Sequence, residues 1–89
     1  MIAEIAMLRR HDKLVCAETH RAVSTQGLAL DIPETSEWTV YEVKKEGYMD
    51  EQYAVIVSNC TPYAIRVWNE AKGRPDYSYI QRHWKPKET

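Results

Sequence analysis

Six consecutive residues, YAVIVS at positions 53–58, contain no charge and only one small polar group. A run of this kind, rich in β-branched residues and too short for a helix of ordinary length, predicts a strand. Because it is apolar nearly throughout, it is expected to be buried on both faces as the central strand of a sheet. WTVYEV at 38–43 has the same composition and predicts its neighbour. The intervening KKEGYMDEQ carries Gly47 and suits a hairpin loop longer than the tight two-residue kind.

The flanking sequence carries helical punctuation. Asp12 is a suitable N-cap for DKLVCAETHRAVSTQ, and Gly27 is a suitable residue just past its end. On such a helix Val15, Thr19, Ala22 and Val23 share a face. LALDI, before Pro33, reads as a short strand or an extended connector, and PETSE as a turn. Thr61 can cap a helix over 62–72, with Pro62 in its first position and Gly73 after its last, although Tyr63, Ile65 and Val67 leave a strand as the alternative. Tyr77, Ile80 and Trp84 then form one helical stripe, with Asp76 as N-cap and Pro86 as terminator. The expected fold class is α+β: one small domain over 1–85, a short antiparallel sheet centred on 38–58, helical elements on both sides, and a frayed basic end at 86–89. At 89 residues there is room for one core only.

With 44% hydrophobic and 28% charged residues the chain has the composition of a soluble globular protein. No apolar run is long enough to cross a bilayer. The opening MIAEIAMLRRHDK puts its charges after its apolar stretch, the reverse of an export signal. A cytoplasmic setting follows as the expectation, with Cys16 and Cys60 as free thiols.

Net charge is −1 but unevenly spread. Residues 1–30 carry a net +1, residues 31–60 a net −5 and residues 61–89 a net +3. An acidic middle and a basic tail either pair inside the fold or present two poles to partners.

Chemistry-bearing motifs are sparse. Cys16 and His20, four apart, would share a helix face, and with Cys60 and His83 they complete a conceivable zinc set. No paired Cys or His motif supports it, so no metal or other cofactor is expected. Cys60, just before the predicted helix at 62, stands where a thiol is acidified, yet no orienting base is identifiable. The three glycines form no phosphate-binding loop. A non-enzymatic protein is therefore expected.

Two binding classes remain. All nine aromatics are Tyr or Trp, the rings enriched at interfaces. Tyr48 and Met49 sit at the predicted loop tip among Glu46, Asp50 and Glu51, which makes these five the candidate surface for another protein. Alternatively, Tyr48 and Met49 fold back to close the core. The second class is DNA or RNA binding by a helix-turn-helix-like segment, with Arg74, Tyr79, Arg82, Lys85 and Lys87 as the contacting side chains. A sequence pI near 6.3 and the acidic middle oppose it.

Overall fold

The computed structural model describes residues 2–70 and 77–88. It is mostly β, with 49% strand and 12% helix, which overturns the α+β expectation. Among the described residues eight strands follow in order: β1 (Lys13–Cys16), β2 (His20–Val23), β3 (Ala29–Ile32), β4 (Glu37–Lys44), β5 (Tyr53–Ser58), β6 (Thr61–Trp68), β7 (Ser78–Tyr79) and β8 (Trp84–Pro86). A single helical turn, α1 (Ile80–His83), separates β7 from β8. Short 3-10 turns cover Ile5–Met7 and Met49–Glu51.

Six strands form one sheet in the order β7-β6-β5-β4-β1-β8. All pairings are antiparallel except β6 with β7. Its two edge strands, β7 and β8, are joined by the four residues of α1, so the sheet curls into a nearly closed barrel. The β2–β3 hairpin forms a separate two-stranded sheet. It lies against β6 through a Ser24–Ile65 bridge and the Thr25 N–H donating to the Ala64 carbonyl at 2.9 Å. Closure of this kind removes the exposed edges that an open sheet would have to protect.

The barrel explains why the helical punctuation misled. In β6, Ile65 and Val67 point into the core while Arg66 and Trp68 point out, the two-residue period of a half-buried strand. That alternation outweighs the Thr61–Pro62 cap signal, and Asn59 and Cys60 make a two-residue turn instead. In β1, Leu14 and Cys16 are buried between the more exposed Lys13 and Val15. Of the proposed stripe Val15, Thr19, Ala22 and Val23, only Ala22 reaches the core. The predicted C-terminal helix shrinks to α1, because β7 and β8 are taken into the sheet on either side of it. The strand at 53–58 is where the sequence places it, but it is buried on one face only: Ala54 and Ile56 point inward, and Tyr53, Val55 and Val57 are half-exposed. A barrel wall has one interior.

The core comprises Ile5, Leu14, Cys16, Ile32, Trp38, Val40, Ile56, Ile65, Val67, Ile80 and Trp84 with smaller neighbours. The N-terminal segment, through Ile2, Ile5 and Leu8, packs against it. At the other end, Leu14 pairs with Pro86 and the Lys87 N–H donates to the Lys13 carbonyl at 3.0 Å, so pairing runs past residue 85.

Candidate functional site

The β4–β5 loop holds all five predicted protein-contacting residues at the surface. Tyr48 is 79% exposed and Met49 53% exposed, so neither folds back over the core. Glu46, Asp50 and Glu51 surround them, also exposed. The loop is nevertheless braced. Gly47 has φ +86°, a left-handed conformation that glycine adopts at no steric cost. The Met49–Glu51 turn closes with the Glu51 N–H donating to the Tyr48 carbonyl at 2.8 Å. Buried Asn69 then ties the tip to the barrel. Its amide donates to the Met49 carbonyl at 2.8 Å, and its oxygen accepts the Ile5 N–H at 2.8 Å. Gln52 donates to the Lys45 carbonyl across the base of the loop.

The predicted nucleic-acid set is not brought together. Tyr79 is 3% exposed, buried in β7. Arg82 pairs with Glu70 and lies over the Tyr79 ring. Lys87 Nζ sits 2.7 Å from the Glu37 carboxylate, so part of the basic tail does neutralise the acidic middle. Lys85 is exposed, and Arg74 lies outside the described residues. With β6 a strand and α1 one turn long, no helix-turn-helix exists among the described residues.

Cys16, His20 and His83 do converge, though not by a shared helix: the bend at 17–18 returns the chain from β1 to β2. The Glu18 carbonyl accepts from His20 Nδ1 at 2.8 Å and from the Cys16 thiol at 3.1 Å. Since a carbonyl only accepts, Nδ1 carries the imidazole proton and Nε2 is the acceptor. Nε2 therefore takes the Ser78 hydroxyl proton at 2.8 Å, and Ser78 Oγ in turn accepts the Trp84 indole N–H at 2.7 Å. His83 stacks on His20 at 3.9 Å between ring centroids, and its Nδ1 accepts the Tyr79 N–H at 3.0 Å. The Cys16 thiol, both His20 ring nitrogens, the Ser78 hydroxyl and the Trp84 indole N–H are all engaged in this relay.

Burial sets the protonation states. It lowers His20 below its usual range against the opposing pull of the Glu18 carbonyl. It lowers His83 to about 4, helped by the neighbouring His20 and Arg82 charges. It raises the Cys16 thiol against the opposing Glu18 backbone hydrogen bond, with the Glu34 and Glu18 carboxylates adding to the rise, so the thiolate is disfavoured. A serine hydroxyl hydrogen-bonded to a histidine has the connectivity of an activated nucleophile. Here Ser78 is fully buried, and the hydrogen bonds join β2, β7 and β8. Cys60, the fourth conceivable zinc ligand, lies in the β5–β6 turn beside Ser58, with no helix following it. Among the described residues no group of three or more His, Cys, Asp or Glu side chains is placed to hold a metal ion, and no helix is long and apolar enough to cross a membrane.

One constellation is absent from the sequence reading. Lys44, Tyr53 and Trp68 are direct register partners across β4, β5 and β6, on the outer face of the barrel. Tyr53 lies 5.1 Å from Trp68, and Trp68 stacks on Tyr77 at 5.3 Å and 24°. Lys44 and Arg66 both approach the Tyr53 ring. The outward positions of each strand hold the signal, but only the register aligns them into a row.

No protein-family model matches this chain, and neither a curated protein nor a solved structure is detectably similar to it. Function is therefore argued from these surfaces alone.

Proposed function

We propose that this is a small non-enzymatic binding protein, of the accessory or inhibitor type, that acts in the cytoplasm through contact with another protein. The observation that carries this is the Tyr48–Met49 pair, strongly exposed at the tip of a braced loop. Aromatic and Met side chains are over-represented at interface centres, where their burial supplies much of the affinity. Bracing matters equally, because a loop already held by Asn69 and Gln52 loses little conformational entropy on binding. The exposed free thiol of Cys60 suits a reducing compartment.

Replacing Tyr48 with alanine tests this. At its exposure the substitution is expected to change unfolding free energy by no more than about 0.5 kcal/mol. It should nevertheless abolish retention of the partner in affinity purification. A large stability loss, or undiminished retention, would remove Tyr48 from the contact surface.

A second reading, single-stranded nucleic acid, is supported by the outer-face row. Aromatic rings flanked by Lys44 and Arg66 offer stacking and phosphate contacts together. It ranks second because Glu42 lies in the same sheet face and the chain carries no net positive charge. On this reading an oligothymidylate quenches Trp68 fluorescence at low salt, and Arg66→Glu weakens that binding by about tenfold. No quenching at low salt eliminates it.

A further inference from the structure

Beside the same loop, two local irregularities face one another and open a groove of about 630 Å³. The first is a bulge in β4. Val40 pairs with Ile56 and Glu42 with Val55, which leaves Tyr41 without a partner on β5 and turns it outward, 55% exposed. The second is the turn Arg9–Asp12. There His11 adopts φ +78°, a left-handed conformation uncommon for a residue with a side chain. The turn is held by its own polar atoms, the Arg9 N–H donating to the Asp12 carboxylate at 2.8 Å and the Asp12 N–H to the Arg9 carbonyl at 3.1 Å. It is then clamped to the bulge: His11 N–H donates to the Val40 carbonyl and Val40 N–H to the Asp12 carbonyl, both at 2.8 Å. Strain and a bulge maintained at one place, with backbone bonds between them, are features that proteins concentrate at working surfaces.

The groove has a definite chemistry. Tyr41 and the partly buried Val43 supply apolar surface, and Arg9, Arg10 and Lys45 line the groove beside them. Against these three cations stands one acid, Glu42. Among the described residues Arg9, Arg10 and Lys45 enter no ion pair. Arg10 lies over the Tyr41 ring at 5.6 Å, which leaves the edge of its guanidinium for a planar anion.

We infer that this groove receives an acidic segment of a partner protein, with carboxylates on Arg9, Arg10 and Lys45 and an apolar side chain against Tyr41. Charge complementarity selects the occupant. Arginine matches carboxylates in bidentate fashion, and the apolar surface asks for a side chain that a sugar–phosphate backbone does not have. A long polyanion would continue past Lys45 into Glu46, Asp50 and Glu51 and be repelled there, whereas a short acidic segment ends first. The inference rests on the protein-binding reading above and extends it from the loop tip to the adjoining groove.

The test is fluorescence anisotropy of a labelled octapeptide of paired glutamates separated by leucine, measured at low and moderate salt. Saturable binding is expected, weakened about tenfold or more by Arg9→Glu/Arg10→Glu and likewise by Arg9→Gln/Arg10→Gln, with far-UV circular dichroism unchanged in both. A glutamine version of the peptide should bind at least about tenfold more weakly, and an oligothymidylate of equal charge more weakly than the acidic peptide. Absence of saturable binding, undiminished wild-type affinity in either double variant, or tighter binding of the oligonucleotide would overturn the assignment. Tyr48→Ala leaves peptide binding intact, so loss of partner retention in that variant and failure of the groove are separate outcomes.

Discussion

Trp84→Ala is expected to remove about 3–5 kcal/mol of unfolding free energy, the usual cost of truncating a fully buried Trp. A chain of 89 residues has about 4–13 kcal/mol in total, so this one change should consume much of its stability. The position explains the size. Trp84 pairs with Cys16 across β1 and β8 and packs edge-on against Trp38 at 6.0 Å and His20 at 5.8 Å. Its indole N–H also completes the Ser78–His20 relay. Truncation therefore opens a cavity where the two ends of the sheet meet and leaves Ser78 Oγ without its donor. Trp84→Phe separates the two effects: it keeps most of the packing and should cost about 1–2 kcal/mol for the lost hydrogen bond. Urea unfolding followed by far-UV circular dichroism measures both. A loss below about 1 kcal/mol for Trp84→Ala would show that the seam is not held by this side chain.

Acidification is the second large effect. His83 titrates near 4 in the folded protein, whereas an unfolded chain binds that proton near the ordinary histidine value of about 6.5. Between these values the unfolded state holds more protons, so stability rises with pH. It should be at its full value above about pH 6.5, fall as the pH drops through this window, and level off below about 4. The loss attributable to His83 is at most about 3 kcal/mol, and the lowered His20 acts in the same direction. A physical picture accompanies the sign. Protonating His83 at Nδ1 would set an N–H against the Tyr79 N–H and a cation against the stacked His20 ring. His83→Gln, whose side-chain oxygen can accept the Tyr79 N–H, should flatten the dependence between pH 6.5 and 4.5. A urea midpoint that stays constant from pH 7 to 4.5 in the wild type would contradict the buried-neutral assignment.

The strands that were legible in the sequence are those whose local preference agrees with their tertiary role. WTVYEV and YAVIVS are β-branched and aromatic and predict strands at 38–43 and 53–58, while LALDI before Pro33 predicts only a strand or an extended connector where β3 (Ala29–Ile32) lies. Where cap signals and strand patterning conflict, closure of the barrel decides. Thr61–Pro62 and Asp12 look like helix starts, but Ile65/Val67 and Leu14/Cys16 each need a two-residue period to reach one interior. A helical spacing predicts the nearness of Cys16 to His20, yet a bend between two strands produces it. The loop tip was readable because Gly47 and a dense run of charges mark an exposed hairpin connection. Its bracing by Asn69 was not, since nothing near position 69 points to residues 5 and 49. The pairs Arg82–Glu70 and Lys87–Glu37, the outer aromatic row and the Arg9–Tyr41 groove all depend on register and turn geometry. Composition carries no trace of either.

The central claim is that the face formed by the β4–β5 loop and the basic groove meets another protein. Benzoylphenylalanine placed at position 48, with irradiation in the cells that make the protein, reports on that face directly. A discrete cross-linked protein species is expected from position 48, lost when Arg9→Glu/Arg10→Glu is added, and absent when the probe replaces Arg21 on the β2–β3 hairpin. Cross-links from position 21 but none from position 48, or a position-48 product that nuclease removes, would contradict it.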